Sequence, residues 1–245
     1  MSESAVTSPA TPHVALEGFA PLGITAFVTT RAAGSFGLGA GAPEGEVEAA
    51  ARWQSLQAQL AAAHVPHLTS ARQVHATTVL THDGAALNAG LHRHEGADGH
   101  LLRGPGALAV TIADCVPVLV AHPDGMVAAV HAGWRGVAGG ILEVAVHAFA
   151  RAGLAAADLR MHLGPAICGR CYEVGPDVFE KLTGWQTTRP RQVDLRALLG
   201  EQAKALGVRH WSASPECTRC DNQLFYSHRA GDDGRQIAVI ARPSA

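Results

Sequence analysis

Lysine is almost absent from this chain, with two among 245 residues, Lys181 and Lys204. Arginine carries the remaining positive charge; 19 basic side chains stand against 21 acids for a formal net charge of −2. There is thus no basic excess, and nucleic acid is not an expected partner. No window reaches eighteen consecutive apolar residues, because Asp114 and His122 interrupt the best candidate. A membrane-spanning helix is therefore not expected. The opening MSESAVTSPATPH has neither a basic n-region nor an apolar core, so residues 1–15 read as a disordered lead-in, not a signal peptide. Cysteines number five, and an odd count in a chain of this length suits a reducing compartment, hence the cytoplasm. The glycine-rich AAGSFGLGAGAPEG after Arg31 fits neither GxxxxGK[ST] nor a full GxGxxG.

The apolar content of 47% with 16% charged residues is that of a globular chain long enough for a sizeable core. The most informative stretch is TIADCVPVLVAHPDGMVAAVHAGWRG, residues 111–136. It reads as two apolar strands, Val116–Ala121 and Met126–Val130, joined by an Asp124-Gly125 hairpin turn. Cys115 precedes the first strand and His131 ends the second, so the hairpin brings a thiol and an imidazole together. Asp114 flanks the thiol, and Ala132-Gly-Trp-Arg-Gly136 follows the imidazole, with glycines that let backbone approach a ligand and Arg135 to hold an anion. Taken singly, Cys115 and His131 also suit a buried core, where free cysteines are common.

Elsewhere the β-branched Ile24–Thr30 reads as a strand ending at Arg31, a candidate anion holder beside the glycine-rich loop. Glu44 to about His64 reads as a long helix closed by Pro66. Leu68–Val74 and Thr77–Thr81 read as strands around Gln73-Val74-His75. The polar run after them contains His92-Arg-His94, read as solvated surface. Residues 138–152 have helical spacing with Gly153 as the stop. Leu159–Leu163 reads as a strand, Pro176 opens a short helix, and Asp194 caps a helix running to Leu206. Strands near Val208–Trp211 and Gln236–Ala241 finish the chain. With no repeat, no long linker and no regular βαβ rhythm, one mixed α/β domain over residues 16–245 is expected.

His75, Cys115 and His131 all sit at or beside predicted strand ends, and two imidazoles with one thiolate match an open catalytic zinc site. Zinc there activates water or polarises a substrate oxygen, with Asp114 and Gln73 as flanking groups for orientation or proton transfer. Blue copper also uses two histidines and a cysteine, but apart from Met1 only Met126 and Met161 offer a thioether, and multiple His-x-His pairs are missing. A third reading makes Cys115 a nucleophile with His131 as base and Asp114 as orienter. Two CxxC pairs remain, Cys168–Cys171 and Cys217–Cys220. Their separation by 45 residues weakens the zinc-ribbon signal, so a second, structural metal is the lesser reading beside free or buried thiols.

Arg72-Gln-Val-His75, Ala113-Asp-Cys-Val-Pro-Val118, Val130-His-Ala-Gly-Trp-Arg-Gly136, Gly164-Pro-Ala-Ile167, Cys171-Tyr-Glu-Val-Gly175, Cys217-Thr218 and Phe225-Tyr-Ser-His-Arg229 together resemble the signature of one family. It is the laccase-domain or polyphenol oxidase family, also described as purine nucleoside phosphorylases and including a peptidoglycan-editing factor. The resemblance runs from about Thr29 to Ile240. It implies a single α/β domain of two packed mixed sheets between helices, related to putative cysteine hydrolases. It implies zinc, with copper also attributed, on His75, Cys115 and His131. Catalytic roles fall on Asp114, Cys115 and His131, and substrate contacts on Arg31, Ser35, Gln73 and Arg135. The implied activities are phosphorolysis of adenosine, inosine and methylthioadenosine, and adenosine deamination. Phenol oxidation and editing of peptidoglycan precursors are further implications. This chain departs from the family pattern at the shortened Gly34–Gly39 loop with Gly37 for asparagine, at Ala51 before Arg52, and at His228-Arg229-Ala230.

Overall fold

The computed structural model of the protein describes residues 10–38 and 44–244. Strands rich in Val, Ile, Leu and Ala build two six-stranded sheets, both mixed. The first has the order β1 (His13–Ala15), β2 (Thr25–Thr29), β14 (Gln236–Arg242), β7 (Gly106–Ile112), β3 (His67–Arg72) and β5 (Gly90–Glu95). The second runs β13 (His210–Ala213), β10 (Arg160–Leu163), β8 (Val116–Ala121), β9 (Met126–Ala132), β6 (Gly99–Arg103) and β4 (Val79–Asp83). Parallel pairs are confined to β5–β3–β7 in one sheet and to β4–β6 and β10–β13 in the other. A two-stranded ribbon, β11 (Glu173–Val174) with β12 (Arg191–Gln192), stands apart.

Side-chain alternation explains the layering, because successive residues of a strand face opposite sides. Val28, Leu108, Val110, Ala238 and Ile240 pack between the sheets against Leu119, Val127 and Ala129. Their neighbours Phe27, Ala107, Ala109, Ile237 and Val239 face outward onto Trp53, Leu56 and Leu60 of α1 (Glu46–Ala62). On the far side, Val116, Val118, Val120, Ala128 and Val130 meet Ile141, Leu142, Ala145 and Phe149 of α3 (Ile141–Arg151), and Leu199 and Ala203 of α5 (Leu195–Ala205). The result is the expected pair of mixed sheets sandwiched between helices. Both faces of the central strands are buried, which is why they read as unbroken apolar runs. No described helix is long and apolar enough to cross a membrane.

Several boundaries differ from expectation for identifiable reasons. Within the segment read as a lead-in, His13–Ala15 pairs antiparallel with Phe27–Thr29, and residues 1–9 lie outside the described ones. The hairpin loop has three residues, Pro123-Asp124-Gly125. Gly125 N–H donates to His122 O at 2.8 Å and Gly125 takes a φ of +88°, which places the left-handed residue last in the loop. The helix expected over 138–152 starts at Ile141; Gly139 and Gly140, the latter at φ +79°, separate it from the short α2 (Trp134–Ala138). Gly153 and Asp194 stop and cap as expected, with Asp194 Oδ1 accepting from the N–H groups of Arg196 and Ala197.

His92 and His94 are not solvated loop residues. They lie on β5 with half-buried side chains, and the histidine-rich run around them belongs to the sandwich. His82 on β4 approaches His94 at 4.8 Å between ring centroids and stacks on His100 of β6 at 5.2 Å, with His82 Nε2 and His100 Nδ1 3.0 Å apart. Imidazoles from both sheets thus occupy one edge of the inter-sheet layer. Burial, then the neighbouring rings, lowers the pKa of His82 to about 4 and that of His100 to about 3. The unfolded chain takes up protons near pH 6.5 where the folded one does not. Stability is therefore whole above pH 6.5 and falls as the pH drops towards 4, by up to about 1.4 kcal/mol per pH unit for each ring. Denaturant unfolding between pH 7 and 5 should show this slope, and replacing His82 and His100 together by Gln should flatten it.

Candidate metal centre and its cleft

The register of the β8–β9 hairpin places Val116 opposite Ala132 and Pro117 opposite His131. Cys115, one residue before β8, therefore lies beside the end of β9. His75 arrives from the loop between β3 and β4, and the three residues bring ligand atoms within 4.8 Å of one another. The His75 and His131 rings meet edge to face at 4.8 Å. His131 is buried, Cys115 half-buried and His75 exposed, so the group is walled on one side and open on the other. Two imidazole nitrogens and one sulfur at this spacing fit a tetrahedral ion with a vertex left for a ligand.

Asp98 holds this arrangement, and no motif in the sequence drew notice to it. Its carboxylate is fully buried and accepts from His131 Nδ1 at 2.9 Å. It also accepts the backbone N–H groups of Val74 (3.2 Å), His75 (2.9 Å) and Ala76 (2.8 Å). Burial alone raises its pKa, but the His131 and backbone hydrogen bonds outweigh this and leave it lowered. Bonded at Nδ1, His131 presents Nε2 to the site. The three N–H bonds fix the loop in which His75 takes a φ of +58°, a left-handed conformation that non-glycine residues seldom adopt. Asp114 is also left-handed, at φ +85°.

Burial pushes the Cys115 thiol up, yet the His131 charge and hydrogen bonds from both imidazoles bring it down to about 6. Reciprocally, burial disfavours charge on His131, but the Cys115 thiolate and Asp98 raise it to about 9. Both shifts favour the thiolate, the form in which Cys115 would ligate, and metal binding would take the proton from His131 Nε2. Gly133 closes the back of the group: a Cβ there would stand 3.0 Å from Cys115 Sγ and 3.1 Å from His75 Cδ2.

The site forms the floor of a cleft of about 530 Å³. Asp114, Gln73 and Arg135 line it, as expected of site residues. Gln73 spends its amide on Thr111, donating to the carbonyl at 2.8 Å and accepting from the N–H at 2.7 Å. Asp114 accepts from Thr218 Oγ1 at 2.6 Å and from the Arg229 N–H at 2.7 Å. Arg31 and Ser35 do not belong to the lining. The Arg31 guanidinium pairs with Asp232 at 2.6 Å, donates to the carbonyls of Asn222 and Phe225 and lies 4.4 Å over the Tyr226 ring. Ser35 Oγ is buried and accepts from the N–H groups of Gly37 and Arg235. Both residues shape the rim. In place of Arg31 the lining holds Arg72, Arg93, Arg229 and Arg235 as well as Arg135, with Asp114 as the one carboxylate among the described residues. These arginines come from separate loops and strands, so no local pattern grouped them: Arg72 and Arg229 stood in quoted motifs without a cleft role, and Arg93 and Arg235 stood in none.

A four-layer α/β sandwich with an open His-Cys-His group beneath a cationic cleft defines a class of metal-associated α/β proteins. The chain belongs to the family described as multi-copper polyphenol oxidoreductase laccase, whose profile matches residues 26–243. It is 40% identical over 145 residues to the Streptomyces coelicolor protein named purine nucleoside phosphorylase SCO2081, covering 55% of this chain and 59% of that protein. It is 35% identical over 165 residues to adenosine deaminase RL5 from an unknown prokaryotic organism, covering 60% and 63%. In both, the match spans less than two thirds of the relative's length. The crystal structure of YlmD from Geobacillus stearothermophilus superposes with a TM-score of 0.82 at 27% identity, covering 97% of this chain and 98% of that one.

Asp98→Asn removes charge from the His131 contact and turns an amide N–H towards backbone donors. It should weaken zinc binding about 10- to 100-fold, measured by competition with a chromophoric chelator, with far-ultraviolet circular dichroism confirming the fold.

Proposed function

We propose that this protein is a zinc enzyme of purine nucleoside metabolism in the cytoplasm. It cleaves adenosine, inosine and methylthioadenosine with phosphate, releasing free base and a sugar 1-phosphate, and it deaminates adenosine. One observation carries the reading: the His75, Cys115 and His131 donors lie at the floor of a cleft lined by five arginines, one of them paired with Glu95, and, among the described residues, by one carboxylate. Phosphate requires such a surround, and the names of the two relatives supply the nucleoside. The five unpaired cysteines support a reducing setting. Zinc suits the donor set better than copper, because Met126 and Met161 are buried in the apolar core beside α3 and offer no axial thioether. When bound, zinc supplies Lewis acidity towards water or a substrate oxygen.

The chain's own residues then divide the work. Arg135 is exposed, lies 4.5 Å over the Trp134 ring and lines the cleft, where its fork can hold a phosphate. Arg229 and Arg235 each anchor one nitrogen on backbone carbonyls and keep N–H groups for the anion. Trp134 and Tyr172 also line the cleft, each stacked by an arginine, and give the base an aromatic wall. Asp114, committed to Thr218 and Arg229, is a positioning residue for that wall.

A second reading has an observation of its own. Cys115, His131 and Asp98 form a thiolate, imidazole and orienting carboxylate in series, the layout of a cysteine hydrolase with Asp98 in the place expected of Asp114. Incubating zinc-loaded protein with inosine or adenosine and phosphate separates the two. Base release or deamination that is lost on chelation and restored by zinc supports the first. Activity that survives chelation while an electrophile blocks Cys115 supports the second. Arg135→Ala should raise the KM for phosphate about tenfold to a hundredfold, the equivalent of one charged hydrogen bond, whereas Arg31→Ala should lower stability and leave that KM unchanged.

A further inference from the structure

Folding unites the two CxxC pairs that sequence spacing left apart. A parallel bridge joins Ala166 to Cys217, with Thr218 N–H donating to Ala166 O at 3.2 Å, and lays the two pairs side by side. All four sulfurs then lie within 4.8 Å of one another, with Cys171 and Cys220 Sγ 3.5 Å apart. Four thiolates about 2.3 Å from a zinc ion require sulfurs roughly 3.8 Å apart, so this group needs only a small contraction.

Three further features point to an ion. Each pair forms a tight turn, Cys171 N–H donating to Cys168 O at 2.9 Å and Asp221 N–H to Cys217 O at 2.8 Å, which aims both sulfurs of a pair the same way. The buried Cys217 Sγ accepts backbone N–H groups from Cys168 at 3.2 Å and Cys220 at 3.4 Å, bonds that favour a thiolate over a thiol. Arginine precedes the last cysteine of each pair, Arg170 and Arg219, and a tetrathiolate zinc site carries a net charge of −2 that two guanidiniums offset. Cys220 is exposed, leaving an entry path.

We propose that Cys168, Cys171, Cys217 and Cys220 bind a second, structural zinc ion, with release of the thiol protons. The ion ties the 164–172 loop to the 217–229 loop. Those loops supply Tyr172 and Arg229 to the cleft, and Ile167 N–H and Thr218 Oγ1 both donate to Asp114 beside Cys115. The ion acts as a clamp on one wall of the cleft and takes no part in chemistry. This inference stands whatever reaction the cleft performs.

Metal analysis of protein purified under reducing conditions and equilibrated with zinc tests it. Wild type should hold two zinc ions per chain. The outer-edge variant Cys171→Ser/Cys220→Ser should hold one, and His75→Ala/Cys115→Ser/His131→Ala should also hold one. Cobalt in this last variant should show the intense thiolate-to-cobalt charge transfer of a tetrahedral tetrathiolate, which decides the matter even if the serine variant does not fold. One zinc in wild type, two in the serine variant, a cobalt-free triple variant, or the mass deficit of a Cys171–Cys220 disulfide in freshly isolated protein would each overturn the proposal.

Discussion

The Asp98 carboxylate is fully buried and sits where two distant pieces of chain must agree. A charge in that position is costly unless donors surround it, and here four do: His131 Nδ1 and the N–H groups of residues 74, 75 and 76. The same backbone is engaged from both directions, since Asp98 O accepts from His131 N–H at 2.7 Å and Asp98 N–H donates to Thr78 O at 2.9 Å. One residue therefore sets the tautomer of His131, the unusual backbone of His75 and the spacing between β6 and the loop leading to β4. The remaining site geometry follows, because Cys115 is fixed relative to His131 by the hairpin register.

The hairpin was the legible part of the site. Its two strands are buried on both faces, its turn residues are distinctive, and the pairing is local, so the convergence of Cys115 and His131 followed from chain order alone. Asp98 was not legible, because an acid before a glycine resembles any turn residue and its four donors come from two sequence-distant places. The edges of the sandwich hid for a different reason. Strand β5 alternates half-buried and exposed residues, and its buried positions are histidines, which carry no apolar signal. Strands β6 and β7 merge into the apolar stretch leading to the hairpin. Arg31 was read as an anion holder from the glycine-rich loop that follows it, and its guanidinium ties the 222–232 loop to β2.

Charge distribution in the cleft shows how a nearly neutral chain builds a local field. With a net charge of only −2 overall, five arginines line one cavity, of which Arg72 is paired with Glu95. A low-dielectric floor of β8 and β9 concentrates that potential on an incoming anion. The short loop after Arg31 contributes backbone at Gly37 and Leu38 and relies on Ser35 to hold Arg235 in place.

Gly133 has no side chain, and the space this leaves is occupied by sulfur on one side and an imidazole edge on the other. Even a methyl group would have to displace one of them, and both are tethered, one by the hairpin and the other by the Asp98 cradle. The position is accordingly a dimensional standard for the group: its bareness is what lets a sulfur and two imidazoles gather about a single point.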